Sequence, residues 1–413
     1  ALKKATKHQK RKYYIAQNTI MYIFFILSFI VIYLNTYADK VIILGGLQII
    51  YFIITVGLYK LLYPKVNRML LNNMCFLVSI GFVMLTRISY TRAVKQFIFC
   101  VAATAVSLVL PWLFGRTKTL RKFYYLYGIL GLLMLILVFA IGESTYGALI
   151  SLDLGFISIQ PSEFVKISFV LFISGILHKN KSFGTIVISA VLAGAHVLTL
   201  VISTDLGSAL IYFIAYIFII YAATGQARYL FAGLLAATAA SVAAYTLFSH
   251  VQVRVAAWLD PWSIIDGRGY QITQSLFGIG TGGWFGMGLY KGNPNYIPVV
   301  EQDFMFSAIA EEMGGFFAVF LVLIYLNLFI VFIRVAFKCK DEFYKTTVFG
   351  LGVVIGFQVF LTIGGAIKLI PSTGVTLPLI SYGGSSIVAT ILIFSIIQGI
   401  YINEVREEVP NGK

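Results

Sequence analysis

Asp303 stands directly before an apolar run that opens Phe304-Met305-Phe306, at the end of a long segment rich in aromatics and glycine. A carboxylate placed there has two uses. It caps the helix that the run predicts, by accepting from the free N–H groups of the first turn. Or it takes a proton from a hydroxyl in a transition state, which supplies about 10²–10⁴-fold in rate. With an unperturbed pKa of about 3.9 it is ionised at neutral pH, and partial burial beside lipid makes it a stronger base. Other ionisable groups gather nearby in sequence or at the ends of apolar runs. Glu163 and Lys166 lie three apart, so they share a helix face, where they either pair to hold the fold or meet a substrate. Asp205 either orients a ligand or pairs with Lys166, and Glu311 and Glu312 read first as structural. Arg254, Arg268 and Lys291 in the long segment, with Lys166, are the cations open to an anionic group.

Several other patterns carry no chemistry. Cys75, Cys100 and Cys339 are isolated, as are the four histidines, and none has metal-ligand spacing. Gly278-Ile279-Gly280-Thr281-Gly282-Gly283 fits a dinucleotide-binding spacing but has no strand before it and no βαβ unit around it. Gly352 and Gly356 form a small-residue seam for helix packing.

The elements that must position these groups are transmembrane. Of 413 residues, 59% are hydrophobic and 11% charged, against about 25% charged in soluble domains, so hydrocarbon is the solvent for most of the surface. Runs of about 20 apolar residues suffice to span. Twelve are present: Asn18–Thr36, Val41–Leu62, Arg68–Leu85, Gln96–Phe114, Phe123–Ile141, Ser162–His178, Gly184–Ser203, Gly207–Thr224, Tyr229–Ser249, Phe304–Ile333, Thr346–Ile367 and Ser386–Ile402. The expected fold is an all-α polytopic bundle. The net charge of +15 gathers in alternate loops, which the positive-inside rule makes cytoplasmic, with both termini inside. That placement accounts for the charge without nucleic acid. Arg87, Arg92 and Lys95 are the exception and fall on the outer side. Two outer connections are long, Gly142–Pro161 and His250–Asp303. The second holds Trp258, Trp262, Trp284, Tyr270, Tyr290 and Tyr296, which suits re-entrant or interfacial structure.

Four stretches carry a resemblance: Ile159-Gln160-Pro161-Ser162-Glu163-Phe164-Val165-Lys166; Thr204-Asp205-Leu206-Gly207-Ser208; Gln302-Asp303-Phe304-Met305-Phe306 through Glu311-Glu312-Met313-Gly314; and Leu377-Pro378-Leu379-Ile380-Ser381-Tyr382-Gly383-Gly384-Ser385. Gly269-Tyr270-Gln271 and Thr273-Gln274-Ser275-Leu276 add to it. In order and spacing these resemble the SEDS family, which includes FtsW, RodA and SpoVE. The resemblance implies a ten-span core over residues 67–404 with the large extracytoplasmic loop at 250–303. Two further N-terminal spans lie in residues 1–66, and a cytoplasmic tail follows at 405–413.

The resemblance also implies an activity: an inverting peptidoglycan glycosyltransferase in the bacterial plasma membrane that uses lipid II as donor and acceptor. A class B penicillin-binding protein is the implied partner, with surrounding membrane lipid. Asp303 takes the place of the family's key acid. Glu163, Lys166, Asp205, Arg254, Arg268, Gln271, Gln274, Lys291, Glu301 and Ser381 are the expected substrate contacts. The leaving diphosphate calls for positive charge, from those basic residues or from a divalent cation, Mg or Mn, for which no carboxylate cluster is evident. Two departures stand out. Ile150 and Ser151 occupy the places of a family Arg-Trp pair in the frame Gly147 to Gly155, and Val299 follows Pro298 where many members have Glu. A lipid II flippase, or a catalytically impaired scaffold for a penicillin-binding protein, are the competing functions.

Overall fold

The computed structural model describes residues 7–116, 120–145, 148–153, 155 and 158–404. The expected tail at 405–413, the basic residues Lys3, Lys4 and Lys118, and positions Gly147 and Leu154 lie outside them. The helices are α1 (Lys7–Thr36), α2 (Asp39–Leu62), α3 (Arg68–Ile88), α4 (Tyr90–Ser107), α5 (Leu110–Arg116), α6 (Tyr124–Ile141), α7 (Pro161–Lys179), α8 (Phe183–Ile202), α9 (Leu206–Thr224), α10 (Ala227–Leu247), α11 (Ser249–Leu259), α12 (Tyr270–Gly282), α13 (Met305–Lys338), α14 (Glu342–Ala366) and α15 (Gly384–Glu404). Among the described residues twelve helical segments are long and apolar enough to cross a membrane, with α4 and α5 forming one of them. They fall where the apolar runs place them. Helices satisfy every backbone group internally, which is the condition hydrocarbon imposes. Their ends are finished by side chains: Asn67, Ser182, Asp205 and Asp341 each accept from a backbone N–H of the first turn of α3, α8, α9 and α14. Twelve crossings put the start of α1 and the end of α15 on one face, here the basic face; α11, α12 and the long connection lie on the other, the loop face.

α3, α7, α14 and α15 form the centre, with 83%, 78%, 72% and 72% of their apolar windows buried, whereas α10 buries 0% of its window and hangs at the rim. Gly352 and Gly356 of α14 face Phe332 and Phe329 of α13 at 3.1 and 3.0 Å from an added Cβ, so the expected seam is real. α1 and α2 are firmly joined to the rest. Tyr51 and Tyr59 of α2, and Tyr63 just past its end, reach Thr104 Oγ1 (2.8 Å), Ser107 Oγ (2.8 Å) and Leu108 O (2.6 Å). Asn72 of α3 donates to Tyr14 O of α1 at 3.2 Å.

The all-α expectation needs one amendment. The connection after α6 is a small antiparallel sheet, β1 (Glu143–Thr145), β2 (Ala148–Asp153) and β3 (Ser158–Ile159), in the order β1-β2-β3. Its middle strand docks on the α8–α9 turn through Leu149 N to Ser203 O at 3.0 Å. Ser151, one of the two departures, is buried in that strand.

The long connection is neither a spacer nor a plain loop. α12 packs on α13 and turns sharply at Gly283. Its continuation is stitched into a break in α13 at Gly314 (φ 87°): Met287 and Gly288 N–H donate to Glu311 and Glu312 carbonyls at 2.9 Å each, and Gly315 N–H donates to Gly283 O at 2.8 Å. Nine residues of helix rise place this break about 13 Å along α13 from its start. The glycines that mimic a dinucleotide motif are explained here: a Cβ on Gly282 would overlap Ala310 O, and Gly283 has φ 53°.

The loop-face arginines that break the charge rule are both neutralised. Arg87 Nε meets Glu312 Oε1 at 2.9 Å, with its guanidinium over the Tyr290 ring, and Arg92 pairs with Glu301.

Candidate active site

Asp303 ends a tight turn in which both Gln302 N–H and Asp303 N–H donate to Val299 O, at 3.0 and 3.2 Å. Val299 takes φ 56°, a costly conformation for a β-branched residue. α13 then begins at Met305 with Phe304 at the N-cap and no side-chain cap, so Asp303 does not cap it. No protein group among the described residues hydrogen-bonds its carboxylate. The group is half-buried, and desolvation pushes its pKa up to about 6 against the opposing pull of Arg254.

Arg254 comes from α11, 49 positions earlier in the chain. Both groups crowd Gly374: a Cβ there would lie 3.5 Å from Arg254 Nη2 and 3.8 Å from Asp303 Oδ2. Arg254 Nη1 donates to Ser372 O at 3.1 Å. Burial lowers the guanidinium's pKa while Asp303 and Asp205 both raise it, so one cation serves two carboxylates.

Asp205 holds the start of α9, accepting from Ser208 N at 3.1 Å and from Ser162 Oγ at 3.2 Å. Burial raises its pKa from the ordinary value, against the opposing pull of the Ser208 and Ser162 hydrogen bonds. It does not pair with Lys166. Lys166 instead meets Glu163 at 2.6 Å and donates to Gln358 Oε1 of α14 at 3.0 Å, all three buried. The pairing alternative for Glu163 and Lys166 is therefore the one the structure adopts.

The remaining expected contacts divide. Gln271 donates to Pro298 O at 3.3 Å, beside the Asp303 turn, and Gln274 lies half-buried one turn further along α12. Glu301 is buried on Arg92. Ser381 is also buried; its hydroxyl donates to Gln302 O and accepts from Leu377 N at 3.1 Å. Arg268 and Lys291 are exposed, and no hydrogen bond or ion pair joins their side chains to the Asp303 group. Arg92, Gln96, Ser162 and Gln358 were missed as site residues. Arg92 had a signal: a cation on the face where the charge rule forbids it calls for a partner.

Among the described residues no three His, Cys, Asp or Glu gather in a manner that would hold a metal. An apolar groove of about 430 Å³ runs between α9, α13 and α14, from Phe329 to Ile367 and Leu369. Its upper rim adjoins Lys368, whose carbonyl accepts from Trp258 of α11 at 3.2 Å.

Fold and site together define a class, a polytopic helical membrane protein whose ionisable groups converge on one face around an unbonded carboxylate. The family model described as "Cell cycle protein", that of FtsW, RodA and SpoVE, matches residues 67–405, and the chain belongs to that family. The match leaves out α1 and α2. A relative from Mycobacterium bovis named peptidoglycan glycosyltransferase RodA is 32% identical over 370 residues, 81% of this chain and 77% of the relative. A probable peptidoglycan glycosyltransferase FtsW from Halorhodospira halophila is 34% identical over 64% of this chain and 70% of its own. A solved chain from work on the structural coordination of polymerization and crosslinking by a peptidoglycan synthase complex superposes with a TM-score of 0.70 at 27% identity. That superposition covers 81% of this chain and 97% of the other.

Proposed function

We propose that this protein polymerises glycan strands from lipid II at the loop face, with that face outside the cell and the basic face in the cytoplasm. Asp303 takes the proton from the 4-hydroxyl of the acceptor sugar as the oxygen attacks the anomeric carbon of the donor, inverting it. Arg254 meets the negative charge that develops on the departing lipid diphosphate. The bond formed is sugar C–O, the bond broken is sugar to phosphate oxygen, and the proton ends on the Asp303 carboxylate. The single observation that carries this reading is the free, half-buried carboxylate of Asp303 with a cation beside it. Among the described residues no hydrogen bond occupies it, and burial tunes it toward neutrality. The names borne by the relatives support the reaction class.

The polyprenyl tail enters sideways, and the groove between α9, α13 and α14 offers it an apolar lining. A class B penicillin-binding protein receives the strands and crosslinks them.

The test uses the purified full chain with lipid II, with and without such a partner, and with Mg, Mn or chelator. Strand synthesis that falls by about 10²–10⁴-fold in Asp303→Asn supports the reading. Transbilayer movement of lipid II with no strands formed would replace it with a flippase. Growth and cell shape unchanged by Asp303→Asn would replace it with a scaffold.

A further inference from the structure

Among the described residues no group hydrogen-bonds the Asp303 side chain, so its position is set through the backbone of residues 299–303. That backbone belongs to no helix or strand. What holds it is a second irregular segment, residues 377–383. Tyr382 N donates to Glu301 O at 2.7 Å, and Ser381 Oγ donates to Gln302 O. The second segment is itself unsupported by secondary structure and contains Leu379 at φ 69°.

Its support comes from α4. Gln96 is 2% exposed. Its Nε2 donates to Ser381 O at 3.0 Å and its Oε1 accepts from Gly383 N at 3.3 Å. One side chain thus takes the donor and the acceptor that flank Tyr382, as a neighbouring strand would. Arg92, one helical turn earlier on the same face of α4, pairs with Glu301 and places its guanidinium 5.6 Å from the Tyr382 ring centroid. From below, Gly81 of α3 leaves room for the segment, since a Cβ there would come within 2.8 Å of Ile380 O.

We propose that Gln96 is a positioning residue for the reaction at Asp303, acting through Ser381 and Tyr382 on the turn that carries the carboxylate. The proposal rests on the reading of Asp303 as the base. Base catalysis needs the carboxylate within about 2.6–3.2 Å of the hydroxyl proton's oxygen, and a misplacement of about 1 Å costs on the order of 10²-fold. Gln96 is buried and does not line the groove between α9, α13 and α14. Losing it leaves buried Ser381 O and half-buried Gly383 N without partners, and the segment shifts to recover them.

The experiment is a double-mutant cycle on the purified full chain with lipid II, using Gln96→Met and Asp303→Asn. Gln96→Met keeps the length and apolar fit while removing both hydrogen bonds. Expected are a kcat lower by about 10–100-fold, KM for lipid II within twofold, and no further loss when Gln96→Met is added to Asp303→Asn. Wild-type kcat in Gln96→Met would overturn the proposal. So would an equal fold-loss in both backgrounds, or a loss confined to KM. An Asp303→Asn enzyme at full rate would sink the base assignment itself, a distinct outcome. Should Gln96→Met fail to accumulate, Ser381→Ala with Ser381→Thr as the rescue runs the same cycle: the threonine must restore kcat and the alanine must not.

Discussion

The carboxylate of Asp303 is held away from its ordinary value by the fold, and that has a cost which can be measured. With a folded pKa of about 6 against an ordinary 3.8, the folded state prefers the protonated group. The stability this contributes is full below about pH 4 and is lost as pH rises through about 6. Asp303→Asn should therefore be more stable than the wild type at pH 7.5, by about 1–3 kcal/mol and read as a higher melting temperature, while losing about 10²–10⁴-fold in polymerisation rate. If Asp303 is the base as proposed, the wild-type rate should climb with pH through about 6 and then level, since the ionised form accepts the proton. Arg254 pulls the same pKa down. Arg254→Gln should move that acid limb to higher pH as well as lower the plateau; a lower plateau with an unmoved limb would separate the two side chains. At this scale the sequence singled out Asp303 among the acids only through family resemblance. Spacing alone offered a helix cap, and the structure has Phe304 in that place. That Arg254 stands beside Asp303 was not readable, since the two come from separate elements that meet at Gly374.

Among the elements, the stitched break in α13 does more than any single bond to fix the long connection. Gly282→Ala would drive a methyl into Ala310 O, a backbone atom that has nowhere to go. A loss of about 1–3 kcal/mol is expected, read as a lower melting temperature and new proteolytic cleavage between residues 283 and 303. Breaking the buried pair from one side should cost more: Lys166→Met leaves Glu163 charged and alone, at about 3–5 kcal/mol, whereas Glu163→Gln with Lys166→Met together should recover most of it. The helices were legible because apolar runs longer than a membrane crossing have no other use. The sheet of residues 143–159 was not, being made of short strands whose residues also suit a loop. Nor was the depth to which the connection inserts: its glycines were visible, but the α13 backbone they accommodate was not.

As a whole molecule, the chain is a family core with an annex. The family match begins at residue 67, yet α2 is fastened to α4 by Tyr51 and Tyr59, with Tyr63 just past its end bonding Leu108 O, and α4 is the helix that carries Arg92 and Gln96. Tyr51→Phe with Tyr59→Phe should lower stability by about 0.5–1.5 kcal/mol for each bond lost, measured by thermal unfolding in detergent. The annex was legible as two extra spans, but which face of each apolar helix meets protein and which meets lipid was not, because both are equally greasy.

α10 buries none of its apolar window and is continued by α11, the helix that carries Arg254. It meets the bundle through α9, with Gly233 against Ile217, so the lipid around it shares in setting its tilt, and bilayers of different thickness will set that tilt differently. Reconstituted into phosphatidylcholines from 14 to 20 carbons per acyl chain at about equal charge, the enzyme should show an optimum chain length, and the Arg254→Gln variant should show a flatter one. The cell's choice of fatty acids then becomes a setting on how fast it builds its wall.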